Sequence, residues 1–76
     1  MTLNEYLDAF DSAIHATTLF RVQLESAPDY LVPELRELAA HSDANAGAWL
    51  RAALKHHGEP AVCAELANRR KARIEA

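Results

Sequence analysis

Thr2-Leu3-Asn4-Glu5-Tyr6-Leu7-Asp8-Ala9-Phe10 is the stretch that decides how this chain folds. Thr2 with Glu5 three residues later reads as a capping box. The Thr2 hydroxyl can accept from the Glu5 amide, and the Glu5 carboxylate can accept from the Thr2 amide, which satisfies two of the donors that open a helix. Leu3, Leu7, Phe10, Ile14, Thr17, Arg21 and Leu24 then follow as a heptad-like stripe, widened by Tyr6, Ala13 and Phe20. The spacing predicts a helix from about Leu3 to Ser26. Glu5, Asp8 and Asp11 fall in its early turns, where the helix dipole favours negative charge. Ala27-Pro28-Asp29 closes it, because the residue before a proline avoids the α region. Thr17 and Thr18 are β-branched and mark a weak point, and Leu19 and Val22 lie off the stripe.

Three further helices are expected. The second runs from about Tyr30 or Pro33 to His41, with proline at its first position and an apolar face of Leu31, Leu35, Leu38 and Ala39. Ser42-Asp43 reads as a short joint whose residues can cap the next helix. The third runs from about Ala44 to His57, with Ala46, Trp49, Leu50, Ala53, Leu54 and His57 on one face. Gly58 is a suitable stop. The fourth opens at Glu59-Pro60, carries Val62 or Cys63, Leu66, Ala67, Arg70 and Ile74 on one face, and ends in the basic run Arg69–Arg73. The fold expected is therefore all-α: a small bundle of three to four helices in a single helical domain over residues 1–76, with the N-terminal helix the longest. Its core should include Leu7, Phe10, Ile14, Leu35, Leu38, Trp49, Leu50, Leu54, Val62 and Leu66.

Composition agrees with helices that pack closely. Half the residues are apolar but only 7% are aromatic, so the surplus is alanine and leucine, both strong helix formers. Seventy-six residues bury a modest share of their surface, which makes a lone core marginal and favours oligomerisation. Cys63 is the only cysteine, so no disulfide can form within the chain, and a lone thiol fits a reducing compartment. The N-terminus lacks the basic and apolar regions of a secretory signal, and no apolar run approaches the ~18 residues of a membrane span. The expectation is a soluble cytoplasmic protein.

The net charge of −3 is unevenly distributed. Residues 1–45 carry eight acids and two bases, and residues 46–76 carry three acids and six bases. Such polarity can steer a partner, or let the two halves neutralise each other within one chain or across an antiparallel dimer.

No catalytic, metal or cofactor motif is recognisable. His56 and His57 are adjacent and diverge by about 100° around a helix, and His15, His41 and Cys63 stand apart, so no zinc-type spacing exists. Cys63, between Val62 and Ala64, reads as a small core residue rather than a nucleophile. The aromatic residues Tyr6, Phe10, Phe20, Tyr30 and Trp49 are the candidates for partner binding, tryptophan being the favoured anchor at interfaces. Arg51, Lys55, Arg69, Arg70, Lys71 and Arg73 form the alternative, a set of bases able to contact phosphates. The second and third helices could serve as a helix-turn-helix, with the turn at His41-Ser42-Asp43.

Trp49-Leu50-Arg51-Ala52-Ala53-Leu54 followed by Gly58-Glu59-Pro60-Ala61 resembles the helical segment that precedes the DNA-reading part of some small antitoxins. It spans about a third of the chain and consists mostly of alanine and leucine. Size, acidity and helicity also resemble those of small phage-encoded inhibitors. The function expected is a non-catalytic protein-interaction module, an adaptor or inhibitor acting by helix-face docking as a homodimer. The alternative is a small DNA-associated regulator of antitoxin type that uses the basic C-terminal half.

Overall fold

A computed structural model describes residues 1–75, and these form three α-helices and one short 3₁₀ turn. Helix α1 spans Leu3–Leu24, the 3₁₀ turn spans Asp29–Leu31, α2 spans Val32–His57 and α3 spans Glu59–Glu75. The capping box is formed. Glu5 donates its amide to the Thr2 hydroxyl at 3.2 Å, and the Thr2 amide donates to Glu5 Oε1 at 2.9 Å. That amide, with the Thr2 hydroxyl adding to it, holds the Glu5 carboxyl below its usual range.

The expected second and third helices are one continuous helix, and α2, not α1, is the longest element at 26 residues. The joint at Ser42-Asp43 is absent. Leu35, Ala39, Ser42, Ala46, Trp49 and Ala53 keep one helical stripe in phase straight through it, and Ala40, Ala44 and Ala48 raise the helix propensity around it. Packing overrides the capping signal. The 22 residues of α1 extend about 33 Å, and only an unbroken partner of similar length covers that stripe. The turn needed for a helix-turn-helix is accordingly absent from residues 41–43.

α1 and α2 form an antiparallel hairpin. His57 Nε2 lies 3.2 Å from the Met1 carbonyl oxygen, and the Tyr6 ring lies 6.2 Å from Trp49, 5.7 Å from His56 and 5.6 Å from His57. The contact seam of α1 alternates steps of three and four: Leu3, Tyr6, Phe10, Ala13, Thr17, Phe20, Leu24. Facing it, Ala39, Ala46 and Ala53 of α2 are buried at heptad spacing. Small side chains on both sides let the helices approach closely. Buried Thr17 satisfies its hydroxyl by donating to the Ala13 carbonyl at 3.0 Å.

Leu7 and Ile14 therefore flank the seam instead of lying in it. Leu7 is fully buried because α3 crosses the hairpin at that end, where Tyr6, Leu7, Ala53 and Val62 form the core cluster and Leu3, Trp49, Leu50, Ala52 and Leu66 pack against it. Ile14, one heptad further, lies outside that cover and remains 40% exposed. Leu38 and Leu54 are likewise exposed, contrary to expectation: Leu38 lies on an uncovered flank of α2, and Leu54 borders the open groove between α2 and α3. Phe10 and Leu35 are half-buried, as are Trp49, Leu50 and Leu66. Cys63, expected in the core, is exposed.

Gly58 supplies the reversal between α2 and α3. Its φ of 82° and ψ of 155° lie in a region essentially reserved for glycine, and its amide still donates to the Leu54 carbonyl at 3.0 Å. The result is flat and extended. The Cα trace measures 43 × 29 × 15 Å, and its radius of gyration is 14.6 Å, against about 11.4 Å for a compact chain of this length.

Candidate functional site

Besides the apolar contact of Val62 and Leu7, α3 is tied to α1 by the side chain of Arg69. Arg69 Nη1 donates to Asp11 Oδ2 at 2.7 Å and to Asp8 Oδ1 at 3.0 Å, and Arg69 Nε donates to Glu65 Oε1 at 3.2 Å. Nη2 reaches Asn4, at 3.3 Å from Oδ1 and 3.4 Å from the backbone carbonyl. Partial burial of the guanidinium works against its charge, but the hydrogen bonds to Asp11, Asp8 and Glu65 outweigh that and hold its proton more tightly than usual.

This contact divides the bases read from the sequence. Arg69 is engaged with acids of its own chain. Arg73 lies beside Arg69 along the wedge between α3 and α1, with Ile14, His15 and Thr18 opposite. Arg70 and Lys71 line a separate recess on α3 with Leu66, Ala67 and Ile74. Arg51 and Lys55 are exposed on α2. The six bases do not share a face.

The five aromatic candidates also separate. Tyr6 is buried between Trp49 and the two histidines, stacked on the His56 ring at an interplanar angle of 8°. Phe10, Phe20 and Trp49 are half-buried along the hairpin seam. Only Tyr30, on the connector between α1 and α2, stands free at 78% exposure. Its half of the hairpin also exposes Leu19, Val22 and Leu38. Glu25, Asp29, Glu34, Glu37 and Asp43 lie in the same half, where residues 22–45 carry five acids and one base. Leu38 lines a shallow recess with Glu34, Glu37 and His41. Nothing in the aromatic pattern distinguished Tyr30 from Tyr6. The discriminating signal was Pro28-Asp29, which places Tyr30 in a turn and off the stripe.

A second apolar surface opens on the face of the hairpin that carries α3. Between α2 and α3, Leu50 and Leu54 face Val62, Cys63 and Leu66 across a groove with Glu59 at its edge. Leu66 also borders the recess on α3 that holds Arg70, Lys71 and Ile74, the last 74% exposed. Among the described residues, no group of three or more His, Cys, Asp and Glu side chains is arranged so that it could hold a metal ion. None of the helices among those residues is long and apolar enough to cross a membrane. No protein-family model, curated protein or solved structure matches this chain.

Proposed function

We propose that this protein is a non-catalytic interaction module, an adaptor or inhibitor, that docks on a protein partner through the connector end of its α1–α2 hairpin. The observation that carries the reading is Tyr30, a large aromatic 78% exposed on a short connector, in the half of the hairpin that also exposes Leu38 and carries five acids and one base. A freely exposed aromatic is a favoured anchor of an interface, and the carboxylates in the same half favour a partner with a basic rim. The module acts as a homodimer. The phosphate-binding alternative draws less support, because Arg69 is held by three carboxylates and the remaining bases point to different sides of the molecule.

The test is a parallel capture from host lysate with the wild-type protein, Tyr30→Ala, Leu38→Glu and the pair Arg70→Gln/Arg73→Gln. The reading expects a stoichiometric protein that is lost with the first two variants and retained by the third. Nuclease-sensitive material, lost with the arginine pair alone, would replace it with the nucleic-acid reading.

A further inference from the structure

We infer that a second copy of this chain covers the groove between α2 and α3, in a two-fold arrangement with the hairpins antiparallel. This rests on the homodimer reading above and assigns its surface. Three observations carry it.

The first is area. The chain exposes 5527 Å², whereas a folded monomer of this mass exposes about 4,600 Å². The surplus of about 900 Å² matches the ~800 Å² that each partner contributes to a stable interface. The second is the groove itself. Leu50 and Leu54 of α2 face Cys63 and Leu66 of α3 across it, and from Leu66 the apolar side chains Ala67 and Ile74 continue along α3 between Arg70, Lys71 and Glu75. Because apolar surface continues from the groove along α3, a two-fold axis at the groove's open end lets the Ile74 end of each α3 enter the other copy's groove. The interface is then self-complementary, as two-fold symmetry requires.

The third observation is charge, which sets the direction. Residues 22–45, the connector half, carry a net charge of −4 from five acids and one base, while Arg70 and Arg73, in the C-terminal turns of α3, have no carboxylate partner among the described residues. An antiparallel pairing brings each basic α3 end toward the other copy's acidic connector half. A parallel pairing would set the two acidic halves side by side. The antiparallel dimer also carries its two Tyr30 ends at opposite poles, which makes the module bivalent.

The experiment measures the dimer directly by analytical ultracentrifugation of the full chain at rising concentration and at two salt levels. Wild type is expected to be a dimer at about 100 µM. Ile74→Glu, at an exposed position in the last turn of α3, should weaken association at least tenfold while leaving the helical circular dichroism unchanged. Leu66→Glu should do the same, and Tyr30→Ala should have no effect. Raising the salt should loosen the dimer, because opposite charges meet across it. A monomer at every concentration overturns the inference and leaves the Tyr30 capture test standing on its own. A dimer indifferent to Ile74→Glu and Leu66→Glu, or broken by Tyr30→Ala, overturns the assigned surface. A dimer that tightens with salt overturns the antiparallel direction.

Discussion

Leu7 and Ile14 occupy equivalent positions one heptad apart on α1, and a comparison of their truncations tests how the three helices are arranged. Leu7 is fully buried where α3 crosses the hairpin, and Ile14 is 40% exposed just beyond that cover. Leu7→Ala removes about three methylene equivalents worth about 0.8 kcal/mol each and leaves a cavity walled by Tyr6, Ala53 and Val62. The cost should be about 3–4 kcal/mol. Total stability for 76 residues is about 4–11 kcal/mol, so this is a large share of it. In Ile14→Ala, about 60% of the same transfer term is at stake and water fills the space, so the cost should be about 1.4 kcal/mol. Urea unfolding followed by circular dichroism resolves the difference, provided both variants are measured at about 1 µM to keep association out of the reading. In thermal melts, Leu7→Ala should lower Tm by about 12–32 °C. Equal losses at the two positions, within about 0.5 kcal/mol, would refute the placement of α3 over Leu7 and not over Ile14.

Removing the arginine clasp should release the C-terminal half of α3. Arg69→Gln is expected to accelerate amide hydrogen exchange from about residue 67 to 75 while leaving α1 and α2 protected, and equal protection throughout would show that the clasp holds nothing. Gly58→Ala should destabilise by about 1–3 kcal/mol through backbone strain alone, since the added Cβ would meet nothing closer than Pro60 Cδ at 3.9 Å. Gly47→Ala should have the opposite sign and stabilise by about 0.5–1 kcal/mol; the added methyl meets only the tip of the Arg51 side chain at 3.2 Å, which can move aside. The capping box adds a pH dependence. Glu5 has a folded-state pKa below its ordinary value, so its contribution is present above that ordinary value and is lost as pH falls through the depressed one. Glu5→Gln should therefore flatten the acid limb of the stability curve below about pH 4.5, and an unchanged limb would show that the box is not populated in solution.

The ends of the elements were legible in the sequence, but their continuity was not. Thr2 with Glu5, Pro28, Pro33 and Gly58 act through local backbone chemistry, and each marks a boundary where the chain has one. Ser42-Asp43 carries the same kind of signal and marks no boundary. A cap residue offers only the possibility of ending a helix, and whether it is used depends on what faces it. Here the facing stripe of α1 requires an unbroken partner, a relation between residues far apart in sequence. Burial failed for the same reason. Leu7 and Ile14, or Val62 and Cys63, are alike as sequence positions, and their fates diverge only through the angle at which α3 leaves Gly58. Arg69 was visible as one base among four. Its separation from Arg70 and Lys71 depends on Asp8 and Asp11, about sixty residues earlier.

The alanine seam links this architecture to the proposed function. Leu7 and Val62 are the largest side chains buried outright, and much of the hairpin contact is made by Ala13, Ala39, Ala46, Ala53 and Thr17. Such a seam brings two backbones close but removes little apolar area per residue, so the larger side chains of this half-apolar chain are displaced to the flanks. There α3 covers one end and leaves Ile14, Leu38, Leu54 and Ile74 exposed. Large apolar side chains are left on the outside, where the proposed function would have a partner cover them. Exchanging the two patterns, with Ala46→Leu at the seam and Leu54→Ala at the flank, tests this directly. Ala46→Leu should cost about 1–3 kcal/mol of stability at every protein concentration by forcing the helices apart. Leu54→Ala should cost little in the dilute chain and progressively more as concentration rises and the groove is filled. If Leu54→Ala is equally mild at all concentrations, the flank is not a covered surface and the seam has no bearing on function.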